Sequence, residues 1–462
     1  MEETDPCGSF HYLKAPDFSN DLEFIRPLHI CAIGEILEDG LVCAAVKIEF
    51  SAVVETGLFK PSYFQVPGRK VIGTCVNDSG RRKEAGRQGR YLFLELLVNT
   101  LPDSNEVREN SGGYRFTPDG GEWAMELPLL IPVRQTVTIF CGDGRKIAPF
   151  NRINDNQYVE YADDFIQDAY EDEGLRIQYN IYIPNGYEKK SPELENLPLV
   201  FFLHGAGESG FDNRSPLSSY RQAQEYLRPE ALSEQPCFLM IPQCPVTSER
   251  DRGMPEEYGW YTYRKNGDKL CTYPSKSLHT AVEALLVRVM PRYNIDSARI
   301  YAAGHSMGGA GALAALIDRP GIFAAALSFS AAAVLSDEMI IPWKDKPVFF
   351  TMSERDEWDI IRNNMPALMD QLETLGVRVY RSTGGSAWDG ALRGPKAEKQ
   401  AEETIASAKA AGASKIYAEF IAGSVVPLEH LSHRASFSNA AIRRWLFRQR
   451  LASSAEAEPQ LR

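Results

Sequence analysis

The 462-residue chain has no apolar run of the roughly 18 residues that a membrane-spanning helix requires, so no anchor within the bilayer is predicted. Its start, MEETDPCGSF, offers neither a basic stretch nor an apolar one, so no secretory leader is predicted either. The expectation is a cytoplasmic protein as written, secreted only if translation begins further upstream. A basic excess is missing too: 50 Lys and Arg stand against 62 Asp and Glu, a formal charge of −12. Binding to phosphate backbones rests on clustered cations, so nucleic acid is set aside as a partner. The one basic cluster, GRRKEAGRQGR at 80–90, is broken by glycines and reads as a solvated loop. Eight cysteines (7, 31, 43, 75, 141, 237, 244, 271) include no C-x-x-C pair, which excludes a zinc knuckle and a redox dithiol. Reduced, mostly buried thiols are expected. No Asp/His/Glu cluster has metal-ligand spacing, so neither a metal nor a cofactor is implied.

What is present is an ordinary globular balance, 44% hydrophobic and 24% charged, in a chain too long for one core. Two domains are expected. Between 22 and 145, short alternating or β-branched runs (HICAIGEI, LVCAAVKIEFSAVV, KVIGTCV, RYLFLELLV, TVTIFCG) are separated by EDG, NDSG and DG turn signals. No convincing amphipathic helix interrupts them, and a small all-β sandwich is predicted, preceded by an extension over 1–21. Residues 146–165 read as a linker. From 166 to 452 the rhythm becomes strand, loop, helix: IQYNIYIP, LPLVFFLHG, CFLMIPQ, ARIYAAG, FAAALSFS, KPVFFTMS and KIYAEFI are nearly unbroken apolar runs. Leu278, Val282, Leu285, Leu286 and Val289 form one stripe of an intervening helix. This alternation predicts an α/β fold, a doubly wound, mostly parallel sheet. The segment 381–415, longer than a simple connection, reads first as a surface excursion, the alternative being a cap over a pocket with Trp388 against substrate. Residues 453–462 read as a tail.

The chemistry centres on AAGHSMGGAGA at 302–312. G-x-S-x-G directly after a strand forces a turn so sharp that Ser306 stands exposed at its corner. A serine hydroxyl attacks only when a base takes its proton, and the base needs a carboxylate to fix its tautomer. In the α/β-hydrolase order of serine, acid, histidine, the acid follows a strand end, and PVFFTMSERDEWD offers Glu354, Asp356, Glu357 and Asp359. Asp356 is the choice. Of seven histidines, only His430 and His433 lie beyond Ser306 with a strand and helix between. An oxyanion would take backbone N–H groups, worth about 3 kcal/mol each. Met307, opening the helix after the serine, is one candidate donor. Ala206, in FFLHGAGESG, is the other. His204, preceding the serine, would shape its loop; Glu208 would fix that loop or touch substrate; His305 would lie beside the pocket. Trp260 and Tyr261 would line the pocket or pack in the core.

These stretches together resemble the esterases related to polyhydroxybutyrate depolymerases and feruloyl esterases. The likeness runs over about 166–450 through FFLHGAGESG, YNIDSARIYAAGHSMGGAGALAALIDRPGIFAAALSFS and PVFFTMSERD. Upstream, ILEDGLVCAAVKIEFSAVV, FQVPGRKVIGTCVN and GRYLFLEL are similar to the immunoglobulin-like N-terminal domain of some such esterases. The family ends on a catalytic His, a Trp three residues on and an aromatic seven on. In EHLSHRASFSNAAIRRWLF, His430 fits, with Phe437 and Trp445-Leu446 in place and His433 where the Trp would stand. The resemblance implies a serine carboxylesterase acting on short-chain acyl or aryl esters, with Ser306, His430 and Asp356 as the triad and His433 near substrate. The partner would be a small-molecule or oligosaccharide ester; whether the chain forms a homo-oligomer is open. Two other readings are a peptidase of the same fold and a non-catalytic glycan-binding or partner-binding protein that uses its sandwich.

Overall fold

A computed structural model describes residues 23–38, 40–98, 128–187, 194–245, 259–331 and 333–451. The extension at 1–21 and the tail at 453–462 lie outside the described residues. The chain divides into two compact units, and the described residues up to Asp163 belong to the first. No helix among the described residues is long and apolar enough to cross a membrane.

The first unit is all-β. Its strands are β1 (Pro27–Leu37), β2 (Gly40–Glu55), β3 (Phe64–Gln65), β4 (Val71–Asn77), β5 (Gln88–Leu96), β6 (Pro132–Gln135), β7 (Ile139–Phe140), β8 (Lys146–Ile147), β9 (Phe150–Ile153) and β10 (Asn156–Val159). One sheet runs β10-β1-β2-β5-β4 and a second β3-β6-β9, with β7 and β8 as a small hairpin. The large sheet holds because apolar residues align across it: Ile30 faces Ile48, Ile48 faces Leu92, and Leu92 faces Val76, all four fully buried. Each such side chain contributes about 2 kcal/mol by leaving water, and the row fixes the register.

Two expectations are corrected in this unit. Residues 146–159 are not a linker: β9 pairs with β6, and β10 pairs in parallel with β1. Their polar composition reads as loop, yet the polar groups serve the edge backbone. Asp155 accepts from the Ile30 N–H at 2.7 Å, and Asn154 from the Ile131 N–H at 2.7 Å. The 80–90 cluster is also more than a solvated loop. The Arg82 guanidinium, its side chain 9% exposed, reaches Glu35 at 3.0 Å, Glu95 at 2.8 Å and Glu160 at 3.1 Å. Burial holds the Glu160 carboxyl above the usual range, and Arg82 offsets only part of that rise.

The second unit is built on one nine-stranded sheet. Its strands are β11 (Ile166–Asp172), β12 (Leu175–Tyr182), β13 (Leu197–Leu203), β14 (Phe238–Gln243), β17 (Ile295–His305), β18 (Ala325–Phe329), β19 (Val348–Ser353), β20 (Val379–Ser382) and β21 (Lys415–Phe420); β15 (Tyr261–Asn266) and β16 (Lys269–Pro274) pair as a separate hairpin. The order is β11-β12-β14-β13-β17-β18-β19-β21-β20. β12 is antiparallel to both of its neighbours, β11 and β14, and every pairing from β14 onward is parallel. Central strands such as β13, β18 and β19 are buried along their whole length, as strands covered by helices on both faces must be. The described part is an α/β-hydrolase sheet preceded by a β-sandwich.

The 381–415 segment is not a cap. It is the crossover from β20 to β21, carried by the helix Pro395–Ala410, which packs on those two strands and on the helix Ala440–Phe447. Arg444 of the latter reaches Glu398 at 2.9 Å and Glu402 at 3.0 Å.

Removing the cation from the Arg82 cluster leaves three glutamates facing one another. Arg82→Met is expected to destabilise the protein by about 3 kcal/mol at neutral pH. The loss should shrink as the pH falls through the carboxylate range, because protonated glutamates no longer repel. Urea unfolding of the full chain at pH 7 and pH 4 checks this; an equal loss at both values would refute it.

Candidate active site

The site begins with a backbone that only glycine neighbours permit. β17 ends at His305, Ser306 takes φ 52° and ψ −124°, and the helix Met307–Asp318 starts at once. A non-glycine residue held there stores about 1–3 kcal/mol of strain. The turn closes because the helix lies directly against neighbouring backbone. A Cβ on Gly304 would stand 2.2 Å from the Gly308 carbonyl oxygen, and one on Gly308 only 1.9 Å from that of Leu203. The Ser306 N–H donates to the Phe329 carbonyl at 2.9 Å, tying the corner to β18.

The hydroxyl so presented meets an imidazole. His430 Nε2 lies 3.0 Å from Ser306 Oγ, and its Nδ1 lies 2.9 Å from Asp356 Oδ2. Asp356 is fully buried, three residues beyond the end of β19, where its N–H donates to the Ser353 carbonyl. With the carboxylate on Nδ1, the proton sits on that nitrogen, and Nε2 is left to accept from the serine. Met307 and Ala206 each open a helical turn, so their N–H groups have no acceptor within it. The two turns are neighbours, since Leu203 at the end of β13 pairs with Gly304.

A second carboxylate holds the histidine loop. Glu357 accepts from the backbone N–H groups of Glu429 at 2.7 Å and His430 at 2.8 Å, one on each oxygen. Burial pushes its carboxyl up, but the two donors outweigh this and hold it below the usual glutamate value. Glu354 accepts from the Ala422 N–H at 3.1 Å, and Glu429 takes hydrogen bonds from Ser353 and Gly423. The acidic run was visible in the sequence; this division of labour within it was not.

Glu208, His305, Trp260, Trp388 and His433, each weighed as a neighbour of substrate, and the loop residue His204 are all 3% exposed or less, so none lines an open subsite. His204 accepts the Cys244 N–H on Nε2 at 2.9 Å, with Nδ1 2.7 Å from the Gly205 carbonyl, and shapes the loop. Glu208 accepts from the Gly205 N–H at 2.8 Å and the Ser219 hydroxyl at 3.1 Å, with His305 Nε2 3.4 Å away. Burial raises the Glu208 carboxyl, and the hydrogen bond from His305 with the neighbouring histidines more than reverses that. Trp260 is core: its indole N–H donates to the His204 carbonyl at 3.1 Å. Trp388 is core as well, against Phe349 and Phe420, its N–H on Thr404 at 3.0 Å. A buried indole needs an acceptor, and both found one away from the serine. His433 packs on His305, ring centroids 4.3 Å apart, and its Nδ1 accepts from the Gln222 side-chain amide N–H at 2.9 Å.

The sheet and this hydrogen-bonded line define an α/β-hydrolase. The chain matches the Esterase family model over residues 173–421 and the Esterase Ig-like N-terminal domain model over 29–148. It therefore belongs to the esterase family and is an esterase-type hydrolase. No curated protein matches its sequence. Among solved structures, a thermostable esterase is 25% identical with a TM-score of 0.71, covering 92% of this chain and 100% of its own. A feruloyl esterase module from Clostridium thermocellum, complexed with sinapinate, is 10% identical over 63% of this chain and 90% of its own, with a TM-score of 0.39. A siderophore hydrolase from Aspergillus nidulans is 15% identical over 59% and 93%, at 0.33. Scores that low bear on nothing further.

Glu357→Ala frees the two N–H groups that fix the histidine loop. It is expected to lower kcat/KM for p-nitrophenyl acetate by about tenfold at pH 7, with Glu357→Gln, which keeps one acceptor, falling less. The carboxyl is held low, so its contribution to stability is complete above the unfolded value of about 4.3 and is lost as the pH falls through the folded one. Equal activity in Ala, Gln and parent would show that the loop needs no such anchor.

Proposed function

We propose that the protein is a serine carboxylesterase in which Ser306 is the nucleophile, His430 the proton carrier and Asp356 the carboxylate that orients it. The observation that carries this reading is the unbroken line of contacts from Asp356 through His430 to Ser306 at 2.9 and 3.0 Å. Ser306 Oγ attacks the ester carbonyl carbon while its proton passes to His430 Nε2. The carbonyl oxygen, now an anion, takes hydrogen bonds from the Met307 and Ala206 N–H groups, donors already fixed and needing no reorganisation. The carbon–oxygen bond to the alcohol breaks as Nε2–H returns its proton to the departing oxygen. Water, deprotonated by the same nitrogen, then releases the acid and restores Ser306. Short-chain acyl or aryl esters are the substrates this reading proposes.

Ser306→Ala is expected to reduce hydrolysis of p-nitrophenyl acetate by about 10⁴-fold or more, with unfolding by urea left near the parent value because alanine keeps the Cβ and with it the same backbone strain at the corner. Parent-level turnover by that variant would end the proposal. Hydrolysis of a peptide amide with none of any ester would move it to peptidase chemistry.

A further inference from the structure

Beside His430 the surface carries apolar side chains that packing leaves uncovered. Trp358, two residues past Asp356, is 58% exposed, and its ring centroid lies 6.1 Å from that of the His430 imidazole, the planes at 59°. Leu428, two residues before His430, is 51% exposed. These positions are held rigidly. The Trp358 N–H donates to Asp356 Oδ1 at 3.0 Å, and Glu357 grips the Glu429 and His430 backbone, so one carboxylate-rich turn sets both the indole and the imidazole. A large aromatic surface fixed next to a reacting group, and not folded inward, is suited to meet a ligand.

Which part of an ester it meets follows from where the proton goes. His430 Nε2 must lie within hydrogen-bond reach of the alkoxy oxygen, since it protonates that atom as the bond breaks. The group carried on that oxygen therefore extends past the imidazole, while the acyl chain departs from the carbonyl carbon on the other side. We propose that Trp358 walls the subsite for the alcohol portion of the ester, and that the enzyme favours esters of aromatic or bulky apolar alcohols. The proposal rests on the roles assigned above to Ser306 and His430.

Benzyl acetate and ethyl acetate share an acyl group and lose alcohols of similar acidity, so the ratio of their kcat/KM values isolates recognition of the alcohol. The quantity kcat/KM covers steps up to the acyl-enzyme and excludes its hydrolysis, which is common to both substrates. In Trp358→Ala this ratio is expected to fall by about tenfold. In Trp358→Phe, which keeps a ring, it should fall by no more than about threefold. The ratio of ethyl butyrate to ethyl acetate should hold. An unchanged benzyl-to-ethyl ratio would overturn the proposal, and so would a shift in the butyrate-to-acetate ratio instead, which would put Trp358 on the acyl side. Failure of the underlying reading looks different: the parent enzyme would then hydrolyse none of these esters faster than Ser306→Ala does.

Discussion

The close approach of the helix Met307–Asp318 to β13 is the constraint on which the rest of the catalytic unit depends. With no side chain at 308, the helix backbone sits where a Cβ would be 1.9 Å from the Leu203 carbonyl oxygen. That contact leaves one residue to turn the chain from strand to helix, and Ser306 takes it at φ 52°. The strain holds because it is over-determined by the buried pairing of β17 with β13 and β18 on either side. The same register aligns Leu203 with Gly304, which brings the turn opening at Ala206 beside the turn opening at Met307. A serine hydroxyl and two backbone donors thus come from one packing decision. Glu208 and His204, both buried, then fix the Gly205 peptide from either side.

The other half of the site depends on adjacent strands delivering loops to the same end of the sheet. Ser353 at the end of β19 is paired with Phe420 at the end of β21, so the segments that follow run side by side. Glutamates stitch them together: Glu354 to Ala422, Glu357 to Glu429 and His430, Glu429 to Ser353 and Gly423. Carboxylates accept backbone N–H bonds strongly, and here they act as splints for a segment whose regular structure around His430 is a single short helical turn, Glu429–Leu431. Asp356 alone among the neighbouring acids turns inward to the imidazole, while Asp359 turns outward to Arg362.

Much of this was legible in the sequence, and what was not has physical reasons. The parallel strands announced themselves because burial on both faces demands continuous apolar runs, and G-x-S-x-G located the corner because so few residues tolerate it. β20 is four residues long and only Ser382 of it is buried, so nothing in VYRS marks a strand. Without it, the helix Pro395–Ala410 looked like an insertion. β9 and β10 were hidden by asparagines and aspartates, whose side chains here bond to strand backbone. Direction was the other blind spot. A tryptophan in a glycine-rich loop reads the same whether it points at a ligand or into a core, and Trp260 and Trp388 point into the core. Trp358, in a run whose sequence signal is its carboxylates, is the one left in the open beside His430.

His433 shows how burial can change what a residue is. Tryptophan is the residue expected at this position from the likeness to related esterases, and a histidine there suggests a rival base. The structure buries the ring, 2% exposed, against His305, with the His430 imidazole edge-on to it and the Gln222 amide on its Nδ1. Burial first, then the neighbouring His305, His430 and Arg434, push its pKa well below the ordinary value. A ring that cannot charge at neutral pH packs as a flat aromatic, stacking on His305 and sharing one hydrogen bond with Gln222. What separates the two histidines is therefore not their sequence context but their surroundings. His430 has a carboxylate on one nitrogen and a serine on the other, whereas His433 has been made a neutral spacer by the space it fills.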